Sequence, residues 1–461
     1  MEIVRRVSKG RVLRPLTKLI AIVLFSALAL GMVSPPLALA QLGGLGGLGG
    51  GLGGLPRLPP PGARLPRAVD RATGAVDRAT GTVTRQVQQV VDSVGRPPLP
   101  DAFERDPQGA RVVKSEVLAL SPSDQSLATA RRLNFDVLRQ ENLATLNLGI
   151  TVLRAPPGMS ATDALAALRA ADPTGLYDFN HVYDPSGEIR VAEHAATATK
   201  ITANVAQPAI GLIDAGIDRD HPDLKRAKIV TANFTGTNAN TPSEHGTAIA
   251  SLLVASGHSV RGVVPNATLY AADVFGGSPT GGAADAVAQG LAWVSGKGAA
   301  VINISLAGPP NRMVEAVVRA LVARGCVIVA AAGNTGPATP IAYPAAYDGV
   351  IAATSVDREG KIQIDANQGP QMAFAALGVD VPVAALGNGY ARATGTSFAA
   401  PLIAARFALE MPAPGTESAN RALLELAHEA VDLGVPGRDP VFGYGFLKSP
   451  PGSGKLSLSS Q

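Results

Sequence analysis

At 461 residues the chain is long enough for two to three domains, and an apolar content of 46% is ample for a packed core, which excludes global disorder. The formal charge of +4 misleads: Arg5, Arg6, Lys9, Arg11, Arg14 and Lys18 against Glu2 place +5 in residues 1–40 and leave the remainder at −1. A nearly neutral remainder gives no reason to expect a nucleic-acid partner, and a lone cysteine, Cys326, excludes an intrachain disulfide.

The first 40 residues predict an export signal. A basic segment precedes the apolar run Leu19 to Val33, and Ala38-Leu39-Ala40 then sets small residues at the two positions that a signal peptidase reads. The run is short for a membrane span, which needs about 20 apolar residues. A membrane partner is therefore expected only if the signal stays uncleaved, and the mature chain is expected in the periplasm or outside the cell. Residue 41 is Gln, which excludes a lipid anchor there.

Residues 41–109 read as a Gly/Pro-rich linker followed by a marginal helical repeat. Val69-Asp70-Arg71-Ala72-Thr73-Gly74 recurs as Val76-Asp77-Arg78-Ala79-Thr80-Gly81, and Val69, Val76, Val83 and Val90 recur every seven residues. Gly74 and Gly81 each cost such a helix about 1 kcal/mol against Ala. A short coiled coil, a surface helix and a disordered spacer all fit.

Residues 110–184 predict a small separate domain. Arg111 to Leu120, Phe135 to Leu138, Leu146 to Arg154 and Gly175 to Val182 read as strands; Ser123 to Arg132 and Ala161 to Ala171 read as helices. The order β-α-β-β-α-β is the ferredoxin-like arrangement. Residues 185–206 lack periodicity and read as a linker.

From residue 207 short apolar runs alternate with helical stretches. The expected strands are Ala209–Ile213, Ala267–Ala272, Val301–Ser305, Val327–Ala332 and Val350–Thr354. The expected helices are Gly246–Ala255, Ala283–Ser295, Met313–Ala323 and Pro401–Leu409. This alternation predicts an α/β domain over 207–447, a mostly parallel, doubly wound sheet covered on both faces, followed by a flexible tail at 448–461. Ligands of such sheets bind at the carboxyl ends of the strands.

Four residues at or beside those ends have complementary chemistry. Asp214 ends the run Ile210-Gly211-Leu212-Ile213; alone it is a turn former. His245 lies in Glu244-His245-Gly246-Thr247 just before a helix, where it also fits a surface or capping role. Asn334 follows Gly333 after a strand, which usually marks a turn. Ser397 lies in Gly395-Thr396-Ser397-Phe398-Ala399-Ala400-Pro401, where a Thr-Ser pair is ordinarily a helix N-cap. Together they form a set. A serine needs a base to remove its proton, histidine is the base that works near neutral pH, a buried carboxylate fixes its tautomer, and an amide donor holds the developing oxyanion.

These segments, in the order Asp, His, Asn, Ser, resemble the motifs of subtilisin-like serine proteases. His221-Pro222-Asp223-Leu224, Val301-Ile302-Asn303-Ile304-Ser305-Leu306 and Gly443-Tyr444-Gly445 fit the same family, and the resemblance covers about residues 207–447. It implies an exported serine endopeptidase with Asp214, His245 and Ser397 as triad and Asn334 as oxyanion donor. It implies that Ser305, Leu306, Ala307 and Gly308 line the specificity pocket; a substrate strand is expected to pair with backbone near Ser305-Leu306-Ala307 and near Gly281-Gly282, where the glycines also fit simple loop flexibility. It implies polypeptide substrates and an inhibitory propeptide at 110–184, released by cleavage in the linker. No cofactor is required; calcium is frequent in the family, but its ligands are not assigned here. Two departures, Ala248 and Ala215, stand where the family often carries His and Thr. The rival readings are a catalytically silent envelope-binding protein on the same fold, and an esterase; Ser397 lacks the Gly-x-Ser-x-Gly setting of α/β-hydrolase esterases.

Overall fold

The computed structural model describes residues 99–191, 207–236, 241–278 and 281–448. All of them fall in one compact unit, Pro97–Gln461. The export segment, the glycine-rich linker and the heptad repeat lie outside the described residues, as do residues 192–206 and the tail beyond 448.

The N-terminal domain is built from β1 (Phe103–Arg105), β2 (Arg111–Leu120), α1 (Asp124–Arg132), β3 (Asp136–Leu143), β4 (Leu148–Arg154), α2 (Ala161–Ala171) and β5 (Leu176–His181). Serine caps start both helices: Ser123 accepts from the Ser126 amide and Ser160 from the Asp163 amide, each satisfying a donor that the first turn leaves orphaned. The antiparallel order β5-β2-β4-β3 is the ferredoxin-like one, with β1 pairing Arg111–Val113. Leu165 and Leu168 of α2 are buried with Val117, Leu153 and Tyr177. Two differences from the sequence reading are local. β3 extends to Leu143 through the polar stretch Arg139-Gln140-Glu141, and β1 is too short to carry a pattern of its own.

Two short extended segments follow, β6 (Asp184–Pro185) and β7 (Glu188–Val191). The first part of the expected linker is thus paired chain. β6 pairs antiparallel with β12 (Leu306–Ala307) and β7 with β17 (Tyr390–Thr394).

The larger domain contains β8 (Ala209–Asp214), β9 (Lys228–Asn233), α3 (Glu244–Val254), β10 (Thr268–Asp273), α4 (Ala284–Gly296), β11 (Val301–Ile304), β12, α5 (Arg312–Ala323), β13 (Val327–Ala331), β14 (Val350–Val356), β15 (Met372–Leu377), β16 (Val381–Ala384), β17, α6 (Thr396–Glu410) and α7 (Thr416–Glu429). Among the described residues a seven-stranded parallel sheet runs β15-β14-β13-β11-β8-β10-β9. Its central strands are buried from end to end, as apolar runs such as Val327–Ala331 require when helices cover both faces. The chain moves from β8 to β9 and β10 on one side, then crosses to β11 and continues outward. That reversal opens a crevice at the carboxyl end of β8.

Helix α6 lies on the sheet and is buried over most of its circumference, from Thr396 to Ala408, in keeping with its mostly apolar composition. It corrects the N-cap reading of Thr396-Ser397. Gly395 is the cap residue, no side chain caps the helix, and Thr396 and Ser397 are its first two residues. Pro401 sits within this helix and cannot donate to the carbonyl four residues earlier, that of Ser397. The Ser305 hydroxyl supplies the missing donor at 2.8 Å.

Candidate active site

Asp214 closes β8 with no solvent exposure. Its Oδ1 accepts from the Ala215 amide at 2.7 Å and from His245 Nδ1 at 2.8 Å. His245 stands in the first turn of α3, which Ser243 caps through the Gly246 amide. Donation from Nδ1 leaves Nε2 as the lone-pair nitrogen of the neutral ring. Burial pulls the imidazole pKa down, but the charge of Asp214 and its hydrogen bond, together with the Ser186 backbone, outweigh burial and hold it above its ordinary value.

Ser397 lies at the bottom of the crevice. Its Oγ is 2.7 Å from Ser186 Oγ and donates to the Ser305 carbonyl at 3.1 Å. It does not bond His245, and His245 Nε2 is buried without a partner. Asn334 approaches from the end of β13. Its Oδ1 accepts from the Thr396 amide at 2.9 Å and from Gln363 Nε2 at 3.2 Å. Two donors on the oxygen leave Nδ2 facing the crevice, buried and without a partner. A Cβ on Gly395 would lie 2.6 Å from Gly187 Cα, 3.3 Å from the Ser186 carbonyl oxygen and 3.4 Å from Asn334 Nδ2, so this glycine lets the strand 186–187 approach the Asn334 amide.

Residues 183–191 run through the crevice as an extended strand. The Tyr183 amide donates to the Gly282 carbonyl at 2.8 Å. Asp184 and Pro185 face Ala307 and Leu306 in register. Ser186 meets Ser397, and Glu188–Val191 continue along β17. The Tyr183 ring is fully buried over Gly308, where a Cβ would come within 2.5 Å of its Cδ1. Gly281 packs instead against Phe275, so on that rim Gly282 touches the strand. Ser305 lies behind Ser397: its hydroxyl and carbonyl both hold the serine.

The subtilase family profile matches residues 206–445, about half of the chain. The chain belongs to the subtilase family. It is 37% identical over 235 residues to subtilisin DY of Bacillus licheniformis, covering 49% of this chain and 84% of that one. It is 31% identical over 242 residues to the minor extracellular protease Epr of Bacillus subtilis (strain 168), covering 52% of this chain but only 37% of the relative's length. Among solved structures, fervidolysin from Fervidobacterium pennivorans, a keratinolytic enzyme related to subtilisin, superposes with a TM-score of 0.61 at 20% identity, over 76% of this chain and 61% of that one. That likeness extends to the fold.

In this subtilase, sequence reasoning missed two polar residues of the site. Gln363 orients the Asn334 amide, yet no local pattern marks it. Asp273 is paired in register with Asp214 on the adjacent strand β10 and is buried. Burial, with a smaller contribution from the Asp214 charge, raises its carboxyl pKa, while the Phe275 and Gly276 amides donate to it. Among the described residues no cluster of three or more His, Cys, Asp or Glu side chains is placed to hold a metal ion. No helix of the described residues is long and apolar enough to cross a membrane.

Proposed function

We propose that this subtilase is an exported serine endopeptidase that first cuts its own chain between Ser186 and Gly187. The observation that carries this reading is the strand 183–191, paired antiparallel with β12 before Ser186 and with β17 after Gly187, with Ser186 against Ser397. In the reaction the Ser397 hydroxyl turns to His245 Nε2, which takes its proton as Oγ bonds the Ser186 carbonyl carbon. Asp214 stabilises the imidazolium, and Asn334 Nδ2 with the Ser397 amide holds the oxyanion. The C–N bond then breaks, and the proton on Nε2 passes to the Gly187 nitrogen. Water hydrolyses the Ser186 ester with His245 again as base, which frees Ser397. Polypeptides then enter the crevice along the same two rims. The N-terminal domain acts as the propeptide, and the basic-apolar N-terminus directs export.

The test is intact mass and casein hydrolysis of the exported full chain beside Ser397→Ala. The expected result is a wild-type product beginning at Gly187 that digests casein, beside a full-length inert variant. Identical masses and no activity in either would instead favour a silent binding protein on this fold.

A further inference from the structure

We infer that this chain selects substrates on the leaving-group side of the cut bond: glycine immediately after it, then an extended strand of at least four residues with an apolar side chain at its second position. This rests on the proposed cut between Ser186 and Gly187.

Two independent features require the glycine. Gly187 has φ +129°, a backbone conformation that side-chain-bearing residues rarely adopt. A Cβ there would lie 2.6 Å from Phe398 Cε2 and 3.0 Å from the Thr394 carbonyl oxygen. Neither obstacle can move aside easily. Phe398 is fully buried in α6, with its ring 5.6 Å from that of His245, and Thr394 O belongs to the backbone of β17. The residue after the nucleophile thus closes the first leaving-group position to anything with a side chain.

Beyond Gly187 the strand is read by backbone. β16 and β17 form an antiparallel hairpin whose other edge is taken by β7, with Glu188 opposite Thr394, Ile189 opposite Ala393, Arg190 opposite Arg392 and Val191 opposite Ala391. An open hairpin edge is a site for strand addition, in which main-chain bonds give affinity and alternate side chains give selectivity. Ile189 packs against the main core beside the small, buried Ala393. Glu188 and Arg190 point outward and bond each other at 2.9 and 3.1 Å, so they make no subsite. The occupant is therefore an extended polypeptide whose leaving-group side has the pattern Gly-x-apolar-x-x.

The experiment uses internally quenched peptides and the enzyme purified from the full chain. The parent is Tyr-Asp-Pro-Ser-Gly-Glu-Ile-Arg-Val; variants replace its Gly by Ala, replace its Ile by Asp, or stop after Glu. The expected result is a loss in kcat/KM of at least about tenfold for the Ala peptide, the usual scale for excluding one methyl group from a tight site, and a severalfold rise in KM for the other two. Phe398→Ala should narrow the Gly-over-Ala preference. In the full chain, Gly187→Ala should slow self-cleavage by a similar factor, which tests the inference even where Phe398→Ala does not fold. Equal kcat/KM across all four peptides, from an enzyme whose Ser397 reacts with a fluorophosphonate and which digests casein, overturns this inference alone. Failure to label Ser397 or to digest casein removes the proposed function and this inference with it.

Discussion

Arg139 of the N-terminal domain donates through Nε at 3.0 Å and Nη2 at 2.7 Å to Oδ2 of Asp285, in the first turn of α4. Asn180 completes the contact, donating to Asp285 Oδ1 at 3.1 Å and to Glu116 Oε2 at 2.8 Å. Asp285 and Glu116 are buried, with side chains 3% and 9% exposed, whereas Arg139 is 41% exposed. Removing one partner of a fully buried pair costs about 3–5 kcal/mol; solvent screening at Arg139 reduces this to about 1–3 kcal/mol. Arg139→Ala, placed in a Ser397→Ala chain, should therefore loosen the docked domain. The readout is hydrogen exchange at the first-turn amides of α4, and unchanged protection would mean that this ion pair does no docking. Burial is the main cause that raises the Glu116 carboxyl pKa. An acid raised in the folded chain supplies stability that is fully present below its unfolded value and is lost as pH rises through its folded value. Protection should accordingly fall as pH rises out of the acid range, and Glu116→Gln should flatten the profile.

The His245 imidazole must be neutral at Nε2 to take the Ser397 proton. Its pKa lies above the ordinary 6.5 because the Asp214 charge and hydrogen bond outweigh the opposing effect of burial. The acid limb of the self-cleavage rate should therefore have its midpoint above pH 6.5. The stability supplied by the charged ring has the matching sign. It is fully present below the unfolded value and is lost as pH rises through the folded value, so a Ser397→Ala chain should lose this part of its stability across the same window. Asp214→Asn should lower the midpoint and cut the rate by about 10⁴-fold, the general order for losing a triad carboxylate. An acid limb that stays in place in Asp214→Asn would assign the titration to another group.

The central sheet was legible because parallel strands buried on both faces are continuous apolar runs. Ile210 to Asp214 and Val327 to Ala331 carry that signal unaided. Met372–Leu377 and Tyr390–Thr394 do not, since alanine has little strand preference and both strands are set by their neighbours. Glu188–Val191 looked like linker for the same reason: its partner, β17, lies about 200 residues away and only the tertiary fold brings them together. Asp214, His245, Asn334 and Ser397 lie around one crevice while Gly281 packs aside against Phe275, and the hydrogen-bond partners of the four were not readable. Nothing local tells that Gln363 orients Asn334, or that Ser305 holds Ser397 because Pro401 cannot.

That arrangement around Asn334 makes a graded prediction. Asn334→Ala removes the donor and should lower kcat about 10²–10³-fold with KM little changed, because the interaction forms only as charge develops on the oxygen. Gln363→Ala leaves the donor but frees its orientation, so kcat should fall severalfold and KM should hold. A Gln363→Ala effect confined to KM would place Gln363 in substrate binding.

Tyr183 supplies the last test, on the side of the bond opposite to Gly187. Its ring is buried over Gly308, its hydroxyl donates to the Pro309 carbonyl at 3.1 Å, and its amide donates to Gly282. These contacts fix the strand three residues before Ser186, and so set which carbonyl meets Ser397. Truncating a buried aromatic ring costs about 3–5 kcal/mol where the surroundings do not collapse, whereas losing the hydroxyl alone costs about 1 kcal/mol. With about 1.4 kcal/mol per tenfold, Tyr183→Ala should slow the appearance of a Gly187 N-terminus by at least about 100-fold, and Tyr183→Phe by less than about tenfold. Gly308→Val should resemble Tyr183→Ala, because its side chain would fill the space that the ring occupies. N-terminal sequencing of the products adds a second readout. A Tyr183→Ala chain that is cut at neighbouring bonds would show that the ring sets register, and one cut at Gly187 at the wild-type rate would show that Pro185 and the β17 pairing suffice.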